Sequence, residues 1–170
     1  RPSDYAAVQA LWKGTVTSGA YVVPADGCWD IIWCHYNGRT QSFISGIAQA
    51  AHTVELPAGA RLMGIRFWAG NYLPSIPAAL ATNRRIYLGT PGPGHSSLAG
   101  ITFKRPQYET VDEFVSRLPK NQLIACDQLV QQALQGESTV VPTRTTQRHF
   151  AQHTGVSQVF LRRVERARRA

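Results

Sequence analysis

The sequence predicts an α+β protein, a small β-barrel or jelly roll followed by an α-helical region. Three observations carry this expectation. Short apolar runs separated by turn dipeptides fill the first hundred residues, the hydrophobic period changes from two to 3.6 after Pro106, and positive charge collects towards the C-terminus. With 170 residues, 44% of them hydrophobic and 16% charged, the chain has enough apolar material to bury about 70% of its unfolded surface. That excludes a disordered basic tail.

Tyr21-Val-Val-Pro24 runs into Asp26-Gly27, and residues 28–36 then read as a strand that ends at the hairpin signal Asn37-Gly38. The return strand covers 39–47. Two further strands, 51–56 and 61–68, flank the turn Pro57-Ala-Gly-Ala60. Residues 70–106 are rich in Pro and Gly and read as crossing loops with one strand at 101–104.

Beyond Pro106, Thr110-Val-Asp-Glu113 has the pattern of a capping box, and Val111, Phe114, Val115 and Leu118 repeat at helical spacing before Pro119 stops the helix. A second helix is expected at once, with Leu123, Cys126, Leu129, Val130, Ala133 and Leu134 as its apolar stripe and Gly136 as its stop. Residues 137–142 form a turn. A third helix runs over 143–153 to Gly155, and a fourth follows the N-cap residue Ser157. In the fourth, Phe160, Leu161, Val164 and Ala167 face inward while Arg162, Arg166 and Arg169 form an outward row. The divisions are 1–106, 107–136 and 137–170.

The formal net charge is +8 and the pI about 9.9. Residues 143–170 hold seven Arg and a single acid, Glu165, so six of the eight net charges lie there. All of these cations are Arg, whose planar fork binds phosphates and base edges in a bidentate way that Lys does not match. On the third helix Arg144, Gln147 and Arg148 fall at i, i+3 and i+4. They project together, as a helix in a major groove requires, and can offer guanidinium forks to guanine and an amide to adenine. A solvated basic face is the plainer reading of the same charges.

Cys28, Cys34 and Cys126 are an odd number, which argues for a reducing compartment and for cysteines used as small buried apolar residues. Cys28, Cys34 and His35 have a C-x5-C-H spacing that does not present paired ligands to one ion, so neither metal nor cofactor is expected. No run approaches the roughly 18 apolar residues of a membrane span, and the N-terminus is unlike a signal peptide. The expected location is the cytoplasm, with no membrane partner.

The string Arg144, Gln147, Arg148, Phe150, Thr154, Gly155 and Ser157 resembles the first helix-turn-helix of the AraC family of transcription regulators, R-x-L-Q-R-x-F-x-x-x-T-G-x-S. Glu165-Arg-Ala-Arg-Arg-Ala170 is similar to the E-R-A-R-x-A of one subgroup's connecting helix. That subgroup's P-D-G-C-x-D-[LI]-[IV]-[WF] strand is matched by Pro24, Asp26, Gly27, Cys28, Asp30, Ile31, Ile32 and Trp33, with Ala25 inserted. Its later L-x-x-G-x-R-x-x-G-[IV]-R-F is matched by Leu56, Gly59, Arg61, Gly64, Ile65, Arg66 and Phe67. The sequence departs from the pattern at Thr146, where Leu is usual, and in the length of the 137–142 turn, which makes the 123–135 helix the supporting one.

The resemblance implies a cupin-like effector-sensing domain over 1–106, a helical linker or dimerisation region over 107–136, and a partial AraC-type DNA-binding domain over 137–170. A second helix-turn-helix would follow the connecting helix in the family, so the chain is expected to be a fragment. The implied function is that of a homodimeric regulator whose barrel senses a small-molecule effector and whose intact form binds a double-stranded operator through Arg144, Gln147, Arg148, Arg162, Arg166 and Arg169.

Strand alternation puts Trp29, Trp33 and His35 on one face of the 28–36 strand, and with Trp68 they are expected to line a pocket for a small apolar or planar ligand. Solid packing of these rings is the alternative. Asp30 and Arg66 are expected to form a structural ion pair. Catalysis is not expected: none of the five histidines falls two residues from another, as a cupin enzyme's H-x-H would require, and no G-x-S-x-G occurs. A module for ligand binding or dimerisation without DNA contacts, pairing through the 111–134 stripe, is the other reading.

Overall fold

The computed structural model describes residues 1–17, 19–137 and 141–169. The elements run in chain order as β1 Val8–Thr15, β2 Ala20–Val23, β3 Trp29–Tyr36, β4 Arg39–Ser45, β5 His52–Glu55, β6 Arg61–Phe67, β7 Asn71–Tyr72, α1 Ala78–Ala81, β8 Arg85–Tyr87, β9 His95–Leu98, β10 Ile101–Lys104, α2 Val111–Lys120, β11 Ala125–Cys126, α3 Gln128–Gln135, α4 Thr143–Thr154 and α5 Gln158–Arg169. The fold is α+β. Its strands are antiparallel, but they close no barrel among the described residues. A five-stranded sheet in the order β1-β6-β3-β4-β8 stands beside three two-stranded ribbons, β2-β5, β7-β11 and β9-β10.

The β3–β4 hairpin turns on Asn37 and Gly38, both at positive φ (48° and 72°), as a type I′ turn requires. From that turn the register places Trp33 opposite Ser42 and Met63, and Asp30 opposite Ser45 and Arg66. One face of the sheet is the core. Leu11, Trp29, Ile31, Trp33, Ile44, Ile65 and Phe67 are buried there, covered by Val111, Phe114, Val115 and Leu118 of α2. The 111–118 stripe therefore lies inside its own chain and is not a free pairing surface.

Several expectations are corrected. The segment 70–106 holds β7, β8, β9 and the short α1 besides the expected β10. Pro119 lies within the last turn of α2, where its missing N–H and its ring disturb few helical bonds, and the chain leaves the helix only as Gln122 turns left-handed (φ 54°). Thr110 makes no side-chain cap among the described residues, because a 3-10 turn, Tyr108–Thr110, already precedes the helix. The next helix begins at Gln128, not 123: Cys126 is exposed on β11 opposite Asn71, and Asp127 caps α3 by accepting from the Val130 N–H. Ala167 of α5 is exposed. The expected 137–142 turn lies partly outside the described residues, as does Ala170.

Helices α4 and α5 dock on the β-rich part. The α4 helix touches α1, α3 and β7, while Leu161 and Val164 of α5 reach Gly27. Gly155 ends α4 in the left-handed conformation (φ 73°), and a Cβ there would stand 2.2 Å from Thr82 Oγ1. Glycine is needed at this point for both reasons. Among the described residues no helix is long and apolar enough to cross a membrane.

Candidate functional site

The second face of the five-stranded sheet looks across an open cleft of about 990 Å³ towards the β2-β5 ribbon. Strand pairing puts Trp12, Gly64, Ile32 and Phe43 in one row and Ala10, Arg66, Asp30 and Ser45 in the next. From the ribbon, Tyr21, Val23, His52 and Val54 line the opposite wall, and Arg84 and Arg85 stand at the rim. Gly64 is the notch in this floor: a Cβ built there would lie 2.2 Å from Cε2 of Trp12, so only the bare backbone lets the indole lie on the sheet.

The seated indole donates its Nε1–H to Asp30 Oδ1 at 2.8 Å. Arg66 donates Nε to the same oxygen at 3.1 Å and reaches Asp26 Oδ2 with Nη1 at 2.8 Å. The expected Asp30–Arg66 pair is thus present as part of a four-residue network. Burial pushes the Asp30 carboxyl up, against the Arg66 charge and the bonds from Trp12 and Arg66. The Arg66 guanidinium loses hydration too, but the charge and bonds of Asp30 and the charge of Asp26 hold its proton more firmly than usual. The network is half-buried polar structure, centred on the buried Asp30, at the edge of a cavity, where it can fix an aromatic wall rather than present a free charge.

The residues expected to line a pocket together are separated. Trp29 stacks on Phe67 with ring centroids 4.3 Å apart, donates to the Asn71 carbonyl at 2.7 Å and borders a void of only about 30 Å³. Trp33 is buried edge-on to Phe114 at 5.6 Å, and its Nε1–H has no partner among the described residues. Half-buried His35 is bonded through Nδ1 to Thr40 Oγ1 at 2.9 Å. Trp68 is 39% exposed, on a separate groove, with the Arg168 guanidinium 5.1 Å from its ring centroid. The physical reason lies in α2, which covers the odd-numbered face of β3, so the open space falls on the even-numbered one. Asp30 and Ile32 face it.

On α4, Thr146, Phe150 and Thr154 are buried while Arg144, Gln147 and Arg148 are exposed together on the outer face. The α5 arginines are more engaged. Arg162 donates Nη2 to the Ala133 carbonyl at 3.2 Å, Arg169 pairs with Glu165 at 3.1 Å, and Arg166 is exposed. Arg168, outside the expected set, donates to Cys28 Sγ at 3.0 Å. Burial pushes the Cys28 thiol up to about 11, against that bond.

A cluster that sequence reasoning missed lies behind α4. Asp127 is buried; its Oδ1 accepts from the Val130 N–H at 3.1 Å, and its Oδ2 accepts from His149 Nδ1 at 2.6 Å and from His153 Nδ1. The His153 ring is stacked on Tyr72 at 4.0 Å, 11° from parallel. Burial works against the Asp127 charge, yet the bonds from His153, His149 and the Val130 N–H hold its carboxyl below the usual range. The available signal was His149-Phe-Ala-Gln-His153, two histidines one helical turn apart. The chain matches no protein-family model, no curated protein and no solved structure.

Proposed function

We propose that the chain is part of a DNA-binding transcription regulator of AraC type, non-catalytic and cytoplasmic, acting as a homodimer in its intact form. The observation that carries this reading is the division of α4. Its inner side is anchored by Phe150, which is fully buried, while Arg144, Gln147 and Arg148 stand exposed side by side on the outer one. Gly155 and the Ser157 Oγ that accepts from the Phe160 N–H then lead into the basic α5. A helix so placed can offer two guanidinium forks and one amide to base edges in a major groove, with Arg166 near phosphate.

The sensor in this proposal is cupin-like, a sheet and ribbon facing each other across the open cleft rather than a closed barrel. The cleft has the size of small-molecule sites, which run to about 1,000 Å³. Its Trp12, Tyr21 and Phe43 suit a small planar effector. A module that binds ligand without DNA is the second reading, favoured by the engagement of Arg162, Arg168 and Arg169 within the chain.

Selection of DNA sequences from a random duplex pool, followed by anisotropy titration at several salt concentrations, separates the two. Enrichment of a sequence, lost on Arg148→Ala, supports the regulator. Absence of any enrichment supports the ligand-binding module.

A further inference from the structure

We propose that Asp127, His149 and His153 form a binding site for a divalent transition-metal ion, zinc in the first instance, held through Asp127 Oδ2 and the Nδ1 atoms of both imidazoles. One ligand atom from each residue lies within 4.8 Å of those of the other two, and both Nδ1 atoms already touch Asp127 Oδ2. They come from two elements already positioned for other reasons. The i, i+4 spacing on α4 brings the two rings to one side of the helix, and Asp127 is turned towards them because its other oxygen caps α3. His153 is further held in plane by Tyr72.

Two neutral nitrogens and one carboxylate oxygen are the ligand set that zinc and its neighbours prefer, and three protein ligands leave a position open for water or an exogenous ligand. In the absence of an ion, both rings must direct a proton from Nδ1 at the same oxygen. An ion replaces these two protons with its own charge, provided each ring is neutral and carries its hydrogen on Nε2. Bonds of about 2.0–2.2 Å to each ligand need the donors about 3.3 Å apart, so the His149 and His153 rings must draw back from Asp127 by less than about 1 Å. The His149 side chain, 32% exposed, has room to move and opens the site to solvent.

The test uses the whole chain, freed of metal by a chelator and titrated with zinc alone by calorimetry, then with cobalt as a spectroscopic substitute. The expected result is one equivalent of zinc, a raised melting midpoint, and a cobalt visible spectrum of low-symmetry nitrogen and oxygen coordination. His149→Ala leaves the α4 core side untouched and Asp127→Asn keeps the α3 cap. Each should weaken zinc by at least the ~10–100-fold that loss of even an outer supporting partner costs a metal site. Cys126→Ser, which removes the exposed thiol next to Asp127, should change nothing. Failure of zinc to saturate a single site, or equal affinity in folded His149→Ala, overturns the proposal.

Discussion

Gly64→Ala tests the construction of the cleft floor. The new methyl would overlap the Trp12 indole, with Cε2, Cζ2 and Nε1 all within 2.6 Å of it, so the ring must leave the strand. Losing the Trp12 hydrogen bond to the Asp30 carboxylate costs about 1.5–3 kcal/mol, the range for bonds to charged groups. Repacking an overfilled site adds about 1–3 kcal/mol. A destabilisation of about 4 kcal/mol lowers the melting temperature by about 8–16 °C for a domain of this length. The assay is thermal unfolding of four proteins: wild type, Gly64→Ala, Trp12→Ala and the double variant. With Trp12 already gone, Gly64→Ala should be neutral or stabilise by about 0.5–1 kcal/mol, because alanine in a strand loses less chain entropy than glycine. An unchanged penalty in the Trp12→Ala background would refute the reasoning.

Three further outcomes are expected. Arg148→Ala and Gln147→Ala should each cost about 1–3 kcal/mol on a preferred duplex and relax its base preference; equal losses on every sequence would identify phosphate contacts instead. Gly155→Ala places a Cβ 2.2 Å from Thr82 Oγ1 at φ 73°, which should destabilise by about 2 kcal/mol or more and speed proteolysis near 155. Alkylation at mildly alkaline pH should label exposed Cys126 first. Cys28, buried and raised from 9.0 to about 11, should resist; because its folded value is the higher one, its contribution to stability is complete below pH 9 and is lost as pH rises through about 11. Mass spectrometry of the labelled peptides and alkaline unfolding of Cys28→Ser against wild type check both points.

Much of the fold was legible where local chemistry decides it. Asn37-Gly38 marked the hairpin, Gly155 and Ser157 marked the ends of α4 and α5, and the alternation of β3 gave the right pairs of faces. The sequence was opaque where a distant contact decides. In β1 a bulge at Gln9 puts Val8 and Leu11 on the same buried side, which breaks the period of two and hides the strand. The faces of β3 were separable, but which one is open depends on α2 arriving from 80 residues away in sequence, so the tryptophans were expected around a ligand and lie in the core. Asp127 falls inside the 123–135 stretch that reads as one helix, and its role as a cap and as a partner of two histidines depends on α4 packing against it.

One carboxylate both begins α3 and seats α4. Its Oδ1 accepts from the Val130 N–H while its Oδ2 accepts from both imidazoles, so a shift of α4 that pulls on this carboxylate also bears on the first turn of α3. The helices thus share a latch instead of having one each, and through β11 and β7 that latch opens towards Asn71, the residue whose carbonyl holds Trp29. Helix α4 is thereby linked, through Asp127 and the β7–β11 pair, to Trp29 in the core.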